Sequence, residues 1–179
     1  MSASSVTAQY AEAIVGVARS EDALERVSDE LFRFARALQE HTDLRDRLTD
    51  SGIAVDDKLG VVSELLADRA HPQTVGALLY VIQAGRARLL GDIADAVVEK
   101  AAATRGRAVA EVRVAAELDD DRRRRLAKAI EHATGKKIDM KVIVDPSLVG
   151  GVSVKVGDTV IDGSVNRRLA ELKARLVGS

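Results

Sequence analysis

The sequence predicts an α+β chain of two domains. A six-helix N-terminal bundle covers residues 1–105, and a small α/β domain with a β-hairpin and a terminal helix covers residues 106–179. Three observations predict this. Apolar residues up to position 105 recur three and four apart, the spacing of one helix face, whereas several segments beyond Gly106 alternate, the spacing of a strand. Hydrophobic residues make up 46% of the chain but aromatics only 2%, so the core must come from Leu, Val, Ile and Ala. In the Ala- and Leu-rich first part that composition favours helix by intrinsic propensity. A length of 179 residues also suffices for one large domain or two small ones.

The elements follow in order. Val6, Tyr10, Ala13, Ile14 and Val17 share one face of a first helix, and Leu24, Val27, Leu31, Phe34 and Leu38 share one face of a second. Leu44 and Leu48 mark a short third helix ending near Ser51-Gly52. Leu59, Val62, Leu65 and Leu66 mark a fourth. Pro72 suits the first turn of a fifth, where its missing N–H is not needed. Val75, Leu78, Leu79 and Ile82 form that helix's stripe, and Gly85 stops it. Leu89, Leu90, Ile93, Ala94, Val97, Val98 and Ala101 predict a long sixth helix. Short connections make the six a bundle. The run Thr104-Arg105-Gly106-Arg107 breaks the pattern, and Gly106 is the expected boundary. Ala108 to Ala115 then alternates as a strand. Asp119-Asp120-Asp121 places acids at the positive end of a helix reaching Ala133, and Ile138–Val144 is a further strand broken by Asp145-Pro146.

The last stretch is the richest in information. Valine-rich runs flank Gly157-Asp158, a pair able to take the positive φ values of a two-residue hairpin loop. That loop sets Val156 opposite Thr159 and Val154 opposite Ile161. Asp162-Gly163-Ser164 ends the strand, and Ser164 can cap a helix whose stripe is Val165, Leu169, Leu172 and Leu176. Gly150-Gly151 suits a bulge or a close backbone approach. This unit is built to pack, not to react.

Several positions carry residue types that invite a chemical reading. Gly135-Lys136-Lys137 fails as a phosphate loop: position 130 is Ile, and Lys137 stands where a hydroxyl is needed. No Gly-x-Gly-x-x-Gly occurs. His41, His71 and His132 are scattered without partners at metal spacing, there is no Cys, and no nucleophile motif selects a Ser. Asp162 lacks a partner acid or His and reads as a turn residue. No catalytic, cofactor or metal residue is therefore expected. Arg122–Arg125 could bind phosphate or nucleic acid, as a helical regulatory or nucleic-acid-binding protein would. Four consecutive helical residues, however, fan around about 300°. A solvated helix face is the stronger reading, and nucleic acid is not an expected partner at a net charge of −1. That charge is uneven: residues 1–105 hold 12 Lys/Arg against 17 Asp/Glu, and residues 106–179 hold 15 against 11. The imbalance fits two parts with different partners. No apolar run reaches the 18 residues of a membrane span, and the start lacks the basic and apolar regions of a secretion signal. Membrane association would come through a partner, without direct insertion.

The motif Gly150-Gly151-Val-x-Val-x-Val-Gly157-Asp158-x-Val-Ile-Asp162-Gly163-Ser164-Val, followed by Arg-Leu, closely resembles the C-terminal signature of the ATP synthase delta subunit family. That family includes the mitochondrial oligomycin-sensitivity-conferring protein. Tyr10-Ala11-Glu12-Ala13-Ile14 resembles the family's opening helix, and length and domain order agree over essentially the whole chain. The resemblance implies a non-catalytic stator subunit that links the alpha-beta catalytic head to the peripheral stalk and resists rotor torque. It implies that the N-terminal bundle binds alpha-subunit N-terminal segments and the C-terminal domain the C-terminal ends of b subunits. It also implies a place on the cytoplasmic face of the plasma membrane, as a bacterial-type chain without a transit peptide. Spacing alone reads Val6, Tyr10, Ala13, Ile14, Val17, Val75, Leu78, Leu79 and Ile82 as core, since stripes usually face inward. The resemblance implies instead that these two helices receive an alpha-subunit helix. Val165, Leu169, Leu172 and Leu176 stand as either core or b-subunit contact.

Overall fold

The chain is described by a computed structural model over residues 3–162, positions 149 and 158 excepted. The first helix, α1, runs Ala3–Ser20; α2 is Leu24–Glu40, α3 Thr42–Thr49, α4 Val55–Leu66 and α5 Pro72–Gln83. A 3-10 turn at Ala87–Leu89 leads into α6, Leu90–Ala103. Leu89 thus belongs to the turn, because the first bonds of this helix close over three residues instead of four. The alternating segments form β1 (Ala108–Val114), β2 (Ile138–Val144), β3 (Val152–Val156) and β4 (Thr159–Asp162), with α7 (Asp120–Thr134) between β1 and β2. A mainly helical first part is therefore followed by a mixed α/β part. The two compact units are Met1–Ala101 and Ala102–Ser179, so the division falls in the last turn of α6, upstream of Gly106.

The helical unit closes around the stripes that periodicity marks. Val27, Leu31, Phe34 and Leu38 of α2 are buried with Leu48 of α3, Val62 of α4 and Ile93, Ala94 and Val97 of α6. Two stripe residues turn outward: Val17 of α1 is 51% exposed, and Leu65 of α4 is 42% exposed while its neighbour Leu66, about 100° further round the helix, packs on the core. Polar ties reinforce the packing. Arg36 lies 4.8 Å over the Phe32 ring and reaches Asp95 at 2.5 Å. Lys100 of α6 meets Glu12 of α1 at 2.5 Å. Hydrogen bonding and the charge of Lys100 hold the Glu12 carboxyl below its ordinary range.

In the second unit the sheet order is β2-β1-β3-β4. β1 and β2 are parallel, as a β-α-β connection requires, with Ala108 beside Ile138 and Val114 beside Val144. β3 lies antiparallel to β1 and β4 antiparallel to β3. Val156 faces Thr159 and Val154 faces Ile161, the register expected of a two-residue loop, and Gly157 takes a φ of +57°. Ala110, Val112, Val114, Ile138 and Val154 form one buried cluster with Ile130 of α7, and Leu126 packs against it. Asp119 caps α7: its Oδ1 accepts from the Arg122 N–H at 2.7 Å. Gly135 closes the helix in the left-handed region at φ +67°. Asp158, Gly163, Ser164, Val165, Leu169, Leu172 and Leu176, with the helix expected after Ser164, lie outside the described residues.

Candidate functional site

Two facing helix stripes build an open apolar groove in the helical unit. Ala13, Ile14, Val17 and Ala18 of α1 stand opposite Gln73, Gly76, Ala77 and Tyr80 of α5, and Val27 of α2 completes the lining. Positions 73, 76, 77 and 80 are spaced i, i+3, i+4 and i+7, so they share one face of their helix. The side chains at Ala13, Ala18, Gly76 and Ala77 are too short to fill the space between the helices. What remains is a groove of about 310 Å³. Its floor is closed to solvent, with Val27 and Ala18 almost fully buried. Its edges are not: Val17 is 51% exposed and Tyr80 58% exposed, although both are large and apolar in body. Of the lining side chains only Gln73 and the Tyr80 hydroxyl carry polar groups. Tyr10 of α1 meets Tyr80 with ring centroids 5.5 Å apart and planes at 48°, within the range of favourable aromatic pairs.

The other expected residues take different places. Leu78 and Ile82 are each only 2% exposed and belong to the core, and Leu79 packs against that core. Val6 and Val75 are half-buried. On α5 the wall of the groove is thus the stripe of Gln73, Gly76, Ala77 and Tyr80, not the more apolar one. Periodicity finds the buried face of a helix. A groove wall of small and polar residues leaves no such signal.

A second polar feature supports α5. Glu30 of α2 is 8% exposed, and its Oε2 accepts from the His71 N–H at 2.7 Å and the Thr74 hydroxyl at 2.6 Å. Its Oε1 accepts from Arg26 Nε at 2.9 Å. Burial pushes this carboxyl up. Hydrogen bonds from Thr74, Arg26 and the His71 amide outweigh that push and hold it below the ordinary range. His71 also caps α5, its Nδ1 accepting from the Gln73 N–H at 3.2 Å. Its role is structural. Nothing in the sequence pairs Glu30 with Thr74, 44 positions away; the only local sign is an acid on the inner side of an amphipathic helix.

The arginine run lies on the outside of α7. All four side chains are exposed, and Arg122 and Arg125 pair with Asp119 and Asp121. His41 and His132 are exposed. Among the described residues no three His, Asp or Glu side chains gather as metal ligands would, and no helix is long and apolar enough to cross a membrane. Of the C-terminal glycines, Gly151 takes a φ of +84°, and Asp162 pairs with Ser153 at the end of the hairpin.

A helical unit opened by a groove between two of its helices, followed in the chain by a small mixed-sheet unit, defines the class of protein. The chain belongs to the ATP synthase delta (OSCP) subunit family, whose model matches residues 6–176. An ATP synthase subunit delta from Parafrankia sp. is 44% identical over 168 residues, 92% of this chain and 59% of the relative. An ATP synthase subunit b-delta from Mycobacterium sp. is 36% identical over 159 residues, 89% of this chain and 36% of that relative. The chain spans about 60% of the length of delta relatives such as that from Parafrankia sp.. A chain in the solved Toxoplasma gondii mitochondrial ATP synthase hexamer shares the fold, with a TM-score of 0.57 and 22% identity over 96% of this chain and 97% of that one.

Proposed function

We propose that this chain is a non-catalytic stator subunit of a rotary ATP synthase, joining the alpha-beta catalytic head to the b-subunit peripheral stalk. In this reading the six-helix N-terminal bundle, residues 1–105, grips alpha-subunit N-terminal segments. The C-terminal domain, residues 106–179, binds the C-terminal ends of b subunits through the hairpin signature and the stripe of Val165, Leu169, Leu172 and Leu176. The assembly sits on the cytoplasmic face of the plasma membrane, and this chain reaches the membrane only through its partners.

The observation that carries the reading is the groove between α1 and α5, on a chain of this family. An amphipathic helix docks into such a groove through anchors at i, i+3, i+4 and i+7. Val17 and Tyr80 offer apolar surface at its edges, and small residues let the partner's backbone come close. A tether under sustained torque must dissociate slowly. Slow release comes from a few fully desolvated anchors more than from contact area. The b-delta relative supports the stalk half of the proposal, since its name couples b with delta.

Capture of partners by the tagged full chain from its own cell extract tests the proposal. Recovery of ATP synthase alpha and b subunits is the expected result. Recovery of nucleic acid or unrelated proteins, with no synthase subunits, would overturn it.

A further inference from the structure

The helix α2 does two things at once. Val27 forms the floor of the groove, and Glu30, one turn further on and on the same side of α2, holds the start of α5. The two halves of α5 are secured differently. Leu78, Val81 and Ile82 bury its second half in the core. The first turn is held by Thr74, 1% exposed, and by the Glu30 carboxylate that bonds both the Thr74 hydroxyl and the His71 N–H. That amide is one of the four at a helix start that have no partner within the helix. A carboxylate there also faces the positive end of the helix dipole. Glu30 does not line the groove.

We propose that Glu30 is the positioning residue of the groove: it fixes the first turn of α5 against α2, and so sets the distance of Gln73 and Gly76 from α1 and the fit of the helix that docks there. The proposal rests on the docking reading above. It acts through geometry, since one oxygen, Oε2, takes both α5 donors. An amide oxygen at the same place can accept the same two bonds. Glutamine should therefore replace Glu30, and alanine should not.

The experiment uses the full chain and a synthetic peptide of the alpha-subunit N-terminal segment. Affinity is measured well below the melting temperature of each folded variant, and amide exchange is followed along α5. Glu30→Ala is expected to weaken peptide binding about tenfold and to speed exchange at His71, Thr74 and Val75, leaving the second half of α5 protected. Glu30→Gln should restore both. Thr74→Val, which removes one donor and keeps the side-chain shape, should lie between, and serves if the alanine variant does not fold. Unchanged affinity in a folded Glu30→Ala chain would overturn the proposal, because a purely stabilising role does not alter binding by folded molecules. Equal loss in the glutamine variant would also overturn it, pointing to charge in place of position. Failure of the unaltered chain to bind the peptide would overturn the docking reading and the claim about fit with it. The exchange data would then still decide whether Glu30 holds α5.

Discussion

Among single residues, Glu30 has the clearest energetic consequence. Removing its side chain orphans the buried Thr74 hydroxyl and the His71 amide, and leaving such a group unpaired costs about 1–3 kcal/mol. Its carboxyl titrates lower in the folded chain than in the unfolded one, so the unfolded state takes up the proton first on acidification. Its contribution is complete above the ordinary glutamate value of about 4.3 and is lost as pH falls through the lower folded value. Denaturant titrations at a series of pH values should show a shallower loss of stability below about pH 5 in Glu30→Gln than in the unaltered chain. Tyr10 is the second residue of consequence. With Tyr80 it supplies the aromatic pair beside the groove, on a chain with just 2 tyrosines. Anchors of this kind dominate interfaces, so Tyr10→Ala should weaken binding of an alpha N-terminal peptide by about 2 kcal/mol in calorimetry. Unchanged affinity would remove Tyr10 from the interface.

Individual elements differ in how much of their structure is local. Helix α7 and the β3–β4 hairpin are specified by neighbours in the chain. Asp119 caps α7, Gly135 ends it, and Gly157 adopts the positive φ on which the hairpin register depends. Asp119→Ala should therefore lower the thermal stability of the chain through a loss of about 0.5–2 kcal/mol, read by calorimetry. Asp119→Asn should restore most of it, because the amide oxygen still caps. Helix α5 is different. Its start depends on a carboxylate from α2, and its two faces are assigned by the helices on either side. The stripe of Val75, Leu78, Leu79 and Ile82 was legible as the apolar face; the groove-forming stripe of Gln73, Gly76, Ala77 and Tyr80 was not.

For the whole molecule the relevant quantity is the charge imbalance. Residues 1–105 carry 17 acids against 12 bases, while residues 106–179 carry 15 bases against 11 acids. If the first part takes a partner segment with basic residues, attraction should speed association and be screened by salt. Raising salt from about 0.05 to about 0.3 M should lower the association rate of the alpha peptide with the full chain and leave dissociation nearly unchanged, as stopped-flow or surface measurements would report. Equal rates across that range would mean that the net charge of the first part plays no part in docking.

The sequence by itself determined the described helices, the strands and the hairpin register, because most of these follow from spacing and turn chemistry within a few residues. It also carried the family signature from Gly150 to Val165. Tertiary structure alone decided that α1 and α5 leave a groove between them, that small residues and Tyr80 face it, and that Glu30 holds one of its walls. The reason is physical. Periodicity records which face of a helix is buried, whereas a groove is the space two helices fail to fill, and its support comes from groups far apart in the chain and brought together only when the helices pack.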